Sequence, residues 1–185
     1  MWDDLEWSTR KLWDAGFSLL PLDENNKPLT DWRASLASDV SRLPLNELLE
    51  WTGQAKGLAI ALGSSLNGDL FCRTFEDYND YIASIRLMGE QALPLACCFK
   101  EETGEKDLYH VLFLMDKEQS WMLDGHEETA PGKYVIETVK GLIRCRENLV
   151  RIPPTAGMTW IQEPRVDSNL YYYGLMETGL APAPF

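Results

Sequence analysis

Long apolar runs are missing from this chain of 185 residues. None approaches the ~20 residues of a membrane span. The longest, Gly57-Leu58-Ala59-Ile60-Ala61-Leu62-Gly63, has the length of one buried strand. No membrane partner is therefore expected. Basic residues are also short: 17 Lys+Arg face 29 Asp+Glu, a formal net charge of −12. A globally basic nucleic-acid binder is excluded, although a local basic groove is not. Cysteine is sparse. Cys72, Cys97, Cys98 and Cys145 form no C-x-x-C pair, and the adjacent Cys97-Cys98 is a poor zinc clamp, so no zinc is expected. Reduced, partly buried thiols in a cytoplasmic protein are the expectation. Only two histidines occur, His110 and His126. The acidic opening Met1-Trp2-Asp3-Asp4-Leu5-Glu6 lacks the character of a secretory signal. No internal repeat or low-complexity segment is visible.

What is present suits a globular domain. Apolar residues make up 45% and charged residues 25%, and a chain of this size can bury a substantial core without staples. Apolar spacing predicts a helix over Leu5–Ala15, stopped at Gly16, and another over Ser41–Trp51. A third is expected over Tyr81–Met88. Strands are expected at 17–22, 57–62, 70–75, 95–99, 109–114, 134–139 and 149–152. Asp23 to Pro28 reads as a turn, Lys100 to Asp107 as a polar connection, and the residues after Pro153-Pro154 as weakly patterned. Pro182 and Pro184 suggest a loose C-terminal tail. The sum is mixed helix and sheet, hence α+β or α/β.

Several segments recur in a meaningful order. Gly16 to Leu22 is followed by Asn26-Lys27-Pro28 and Asp31-Trp32, then by Gly57 to Gly63. Next come Gly68-Asp69-Leu70-Phe71-Cys72-Arg73-Thr74-Phe75-Glu76-Asp77, Thr103-Gly104 with Tyr109-His110-Val111-Leu112-Phe113, Val135-Ile136-Glu137-Thr138, and Val150-Arg151-Ile152-Pro153-Pro154-Thr155. This order, over about residues 5 to 162, resembles the bifunctional DNA primase/polymerase (prim-pol) N-terminal domain of the archaeo-eukaryotic primase superfamily. The resemblance implies an α+β, prim-pol-like fold. An RRM-like catalytic lobe (roughly 67–165) would pack on a small α/β N-terminal lobe (roughly 1–66). It further implies template-directed nucleotidyl transfer in a plasmid- or phage-type replication protein, with Mg²⁺ or Mn²⁺ as cofactor. Implied partners are a nucleoside triphosphate, single-stranded DNA held weakly, and a replicative helicase, which a chain of this length is too short to carry itself.

Nucleotidyl transfer uses two divalent ions held by convergent oxygen ligands. By the resemblance, Thr74 and Glu76 stand at the acid-x-acid pair, Glu137 at the third acid and His110 at the histidine that meets the nucleotide's phosphates. Glu76, Glu137 and His110 are thus the catalytic candidates, and Glu76, Glu137 and Thr74 the metal ligands. His110, Lys106, Arg144 and Arg146 would contact the nucleotide. The departures are specific. The first acid is the neutral hydroxyl of Thr74, the small residue before the histidine is Leu108, and Val139-Lys140-Gly141 replaces the usual arginine and glycines. They predict that transfer is weak or lost. The alternative is a non-catalytic nucleotide-binding or protein-recruiting module on the same fold.

Each candidate also has a plainer reading. Glu76 opens an acidic run of the kind that usually faces solvent, and Asp77 suits a helix cap. His110 in an apolar strand suits a hydrogen-bonded core histidine. Lys106, Arg144, Arg146 and Arg151 could simply pair with some of the acids. Glu137 is the exception: alternating with Val135 and Val139 on one largely apolar face, its carboxylate would be costly unless paired or bound to a cation, which favours a functional role. If the resemblance holds, the strands carrying Thr74, His110 and Glu137 lie side by side and open on one cleft beside Glu76.

Overall fold

The computed structural model describes residues 4–31, 42–65, 68–87, 97–115, 128–130, 133–138, 141–144 and 149–163. Helix α1 (Leu5–Asp14) begins where Asp4 Oδ1 accepts the Trp7 amide at 2.6 Å, satisfying one of the donors a helix start leaves open. It ends as expected before Gly16, whose φ of 99° suits glycine. Strand β1 (Leu19–Leu22) follows, then a turn in which Asp23 Oδ1 accepts the amides of Asn25 and Lys27. Helix α2 (Leu45–Thr52) is shorter than the periodicity suggests. Pro44 stands at its N-cap with ψ 144°, and a proline disfavours helix in the residue before it.

Strands β2 (Gly57–Ala61), β3 (Gly63–Ser65) and β4 (Gly68–Phe75) come next. Helix α3 (Tyr78–Leu87) starts three residues earlier than its apolar spacing indicates. The reason is Asp77, whose carboxylate accepts the amides of Asn79 and Asp80 at 2.7 and 3.1 Å. Strands β5 (Cys97–Glu102) and β6 (Asp107–Met115) are joined by a tight turn, not by the longer polar connection expected. Lys100 bridges Glu102 and Asp107 at 3.2 and 3.0 Å, so charged residues continue the ladder. Then come β7 (Glu128–Ala130), β8 (Lys133–Thr138), β9 (Gly141–Arg144), β10 (Leu149–Ile152) and β11 (Met158–Gln162).

The architecture is mixed helix and sheet, consistent with α+β, and every described strand pairing is antiparallel. A three-stranded sheet has the order β1-β2-β10. An eight-stranded sheet runs β11-β5-β6-β4-β9-β8-β7, with β3 on β4. Residues 149–152 thus return to the sheet begun by the N-terminal strands. One apolar cluster spans both sheets. Leu58, Ile60, Val150 and Ile152 of the small sheet join Leu70, Cys72, Phe99, Leu112 and Met158 of the large one, together with Leu12 and Leu48 of the helices. Helix α3 lies on the opposite face of the large sheet, where Tyr81 meets Phe75 edge-on and stacks on Tyr109. Among the described residues no helix is long and apolar enough to cross a membrane.

A buried histidine network as candidate functional site

Antiparallel pairing places residues opposite each other on one face. Thr74 of β4 opposes His110 of β6, which in turn opposes Phe99 of β5. On its other side Thr74 opposes Leu142 of β9, and Leu142 opposes Glu137 of β8. A single cross-strand row therefore reads Glu137, Leu142, Thr74, His110, Phe99 and, on β11, Trp160.

Within that row Thr74 Oγ1 lies 2.9 Å from His110 Nδ1, although the residues are 36 apart in sequence. His110 is buried, and its imidazole stacks on Phe99, with ring centroids 4.6 Å apart and planes 20° apart. Its Nε2 lies 3.1 Å from Glu101 Oε2. The other oxygen of Glu101 accepts from the Arg151 guanidinium of β10, an outer strand of the small sheet. A continuous polar chain thus runs Arg151–Glu101–His110–Thr74 from one sheet to the other. Side-chain exposure falls along it from 35% at Arg151 to 13% at Glu101 and 2% at His110. Cys72 Sγ adds a weak contact at 3.8 Å from Nδ1.

The protonation pattern follows from chemistry. The Glu101 carboxyl is held below the usual carboxylate range, chiefly by its bond from His110; burial opposes this, and Arg151 assists. It is therefore ionised near neutrality and accepts only, so Nε2 carries a hydrogen and donates to it. Nδ1 pairs with the Thr74 hydroxyl, accepting from it in the neutral ring and donating to it in the imidazolium. Both nitrogens of His110 are thereby committed.

The remaining candidates fall elsewhere. Glu76 lies one residue past the end of β4, with its side chain 68% exposed and paired to Lys106 at 2.6 Å. Lys106 is half exposed. Asp77 caps α3, as expected. Arg151 pairs with a carboxylate. The strands of Thr74 and His110 are adjacent, but that of Glu137 is not, because β9 intervenes between β4 and β8. At ~4.8 Å per strand step, the Glu137 backbone stands about 10 Å from Thr74 and about 14 Å from His110. The side chains of Glu137 and Arg144 lie outside the described residues, as do Arg146 and His126. Arg144 opposes Cys72 in the ladder.

Glu101 is the member sequence reasoning missed. The signal was present in Phe99-Lys100-Glu101, where alternation puts Glu101 on the face of Phe99 once the strand extends to residue 102. Arg73 is a second buried group outside the expected set. It is 4% exposed and lies over Phe75 at 4.9 Å, and desolvation lowers its pKa against the pull of Asp80.

Two of the three expected metal ligands are engaged otherwise. Thr74 brings a hydroxyl already engaged by histidine, and Glu76 is neutralised by an ammonium. Among the described residues no group of three or more His, Cys, Asp or Glu could hold a metal ion. Compared with known proteins, the chain matches no family model and no curated protein.

Proposed function

We propose that the chain is a prim-pol-like domain of a DNA replication protein in which nucleotidyl transfer has been lost. It serves as a non-catalytic module on that fold. The observation that carries this reading is the 2.9 Å contact between Thr74 and His110. Two positions that the motif order assigns to a metal-binding acid and a phosphate-binding histidine lie on adjacent strands in register, and each occupies the other. The hydroxyl lacks the charge on which a hard divalent ion depends. The histidine is shut from solvent and has no nitrogen left for a phosphate. Glu137 in the same row supports the family reading; Glu76 paired outside the interior supports the loss. Candidate partners are a replicative helicase, a nucleoside triphosphate and, weakly, single-stranded DNA.

The test is template-directed primer extension with Mg²⁺ or Mn²⁺. The expected result is no extension at any metal concentration. Metal-dependent incorporation that follows the template would refute the loss of activity.

A further inference from the structure

We infer that the exposed ring of Tyr78 anchors a docking surface for a basic, arginine-bearing segment of a protein partner. The surface lies on the face of the large sheet opposite His110, because Tyr109 is the residue before His110 on β6 and alternation turns the two apart. Among the described residues Tyr78 and Ile161 are the large apolar side chains left exposed, and Tyr78 is the more open at 54%. Its ring is backed by two others, with centroids at 5.3 Å for Tyr109 and 6.0 Å for Tyr81. Tyr81 is buried and stacks on Tyr109 at 5.2 Å. A ring braced in this way loses little freedom on binding, which is one reason tyrosine serves so often as an interface anchor.

Charge selects the occupant. Residues 76–80 and 100–107, the start of α3 and the β5–β6 hairpin, carry seven acids against two lysines. Glu101 is turned inward to His110. Lys106 pairs with Glu76, and Lys100 with Glu102 and Asp107, so the acids remain in excess. The amides at the helix start would favour an anion, but the Asp77 carboxylate already holds them. The face of a tyrosine ring is electron-rich and attracts a cation, and a planar guanidinium lies flat on it where an ammonium cannot. The chain uses this contact within its own fold: Arg73 lies over Phe75 at 4.9 Å and Arg42 over Trp13 at 4.1 Å. Bases of single-stranded nucleic acid also stack on tyrosine, but the phosphates they bring would meet these carboxylates. The surface rests on this geometry and not on the prim-pol reading.

The test titrates the full, isotope-labelled chain with a capped peptide of alternating arginine and glycine and follows its amide resonances by NMR. The shifts should centre on residues 76–81 and 105–109. Tyr78→Ala should weaken binding about three- to five-fold, the worth of an exposed cation–π contact. Tyr78→Leu keeps apolar area but removes the aromatic face, and it should weaken binding about as much. The same peptide with lysine for arginine should bind more weakly to the wild type. Lys106→Glu removes a competing cation, so it should tighten binding of the arginine peptide at low salt, a gain that misfolding cannot produce. Shifts centred on other acidic stretches overturn the proposal. So does an affinity left unchanged by the Tyr78 variants or by Lys106→Glu, or one equal for the two peptides. A single-stranded oligonucleotide is the last arm. If Tyr78→Ala weakens its binding more than that of the peptide, the ring is a platform for bases and the protein partner is refuted. Neither metal nor template enters, so failure here leaves the primer-extension result untouched.

Discussion

His110 sits at the middle of the buried polar network. Its ring is stacked on Phe99, and each of its nitrogens has a partner of fixed chemistry. Thr74 is what makes this arrangement stable in the neutral ring, because a hydroxyl can turn its hydrogen toward Nδ1. Thr74→Val keeps the shape and removes the donor. It should cost about 1 kcal/mol, the usual worth of one hydrogen bond, read as a lower urea midpoint with an unchanged slope. Glu101 supplies a pH dependence whose sign is fixed. Its pKa is depressed in the folded state from an ordinary value of 4.5. The stability it contributes is therefore complete above that value and is lost as pH falls through the folded one. Glu101→Gln should flatten this part of the acid unfolding curve, while the wild type loses stability more steeply below about pH 4.5. Equal acid slopes in the two proteins would detach Glu101 from the network.

At the level of elements, what could be read from the sequence was what periodicity controls. The α1 boundary, β2 and β10 followed from apolar spacing and from the stop signals Gly16 and Pro153-Pro154. Boundaries set by single polar atoms were harder. Asp77 moves the start of α3 to Tyr78, and Lys100 carries β5 on to Glu102. Strand β11 was unreadable because Met158–Gln162 gains its strand character from pairing with β5, a partner distant in sequence. The same limit hid Glu101, whose role depends on two strands and an arginine 50 residues away. Asp77→Ala tests the local rule. Losing this cap should cost about 1 kcal/mol of stability by urea unfolding. The loss should also appear as faster amide exchange in the first turn of α3, because the cap holds the amides of Asn79 and Asp80. A second close fit lies between the sheet and the turn after β10. A Cβ on Gly57 would come within 2.5 Å of Thr155 Oγ1, the hydroxyl that both accepts from Leu58 N–H and donates to Leu58 C=O. Gly57→Ala should therefore destabilise by about 1–3 kcal/mol, the range for overpacking, more than an exposed alanine replacement such as Glu105→Ala.

For the whole molecule, the charge balance decides how nucleic acid can be met. The formal charge of −12 repels a polyanion at long range, and only local cations can offset it. Several described cations near the candidate site are already committed: Lys106 to Glu76, Lys100 to Glu102 and Asp107, and Arg151 to Glu101. A phosphate backbone would have to displace those carboxylates, and each displacement returns an unpaired negative charge beside the strand. Counterion release scales with the number of phosphates neutralised, and few can be neutralised here. Single-stranded DNA should thus bind weakly, with a shallow dependence of log K on log salt, closer to two or three charges than to the six or more of a strong binder, on the order of ~0.7 per contact for single strands. Charge reversal at the exposed pair sharpens the expectation. Glu76→Lys removes the acid that holds Lys106 and adds a cation at a side chain 68% exposed. It should raise affinity several-fold at low salt and steepen the slope by about one contact, without changing the fold. Fluorescence anisotropy with a labelled oligonucleotide over a salt series measures both. Nanomolar binding by the wild type at physiological salt, or a slope unmoved by Glu76→Lys, would mean that DNA is held by residues other than those at this end of the sheet.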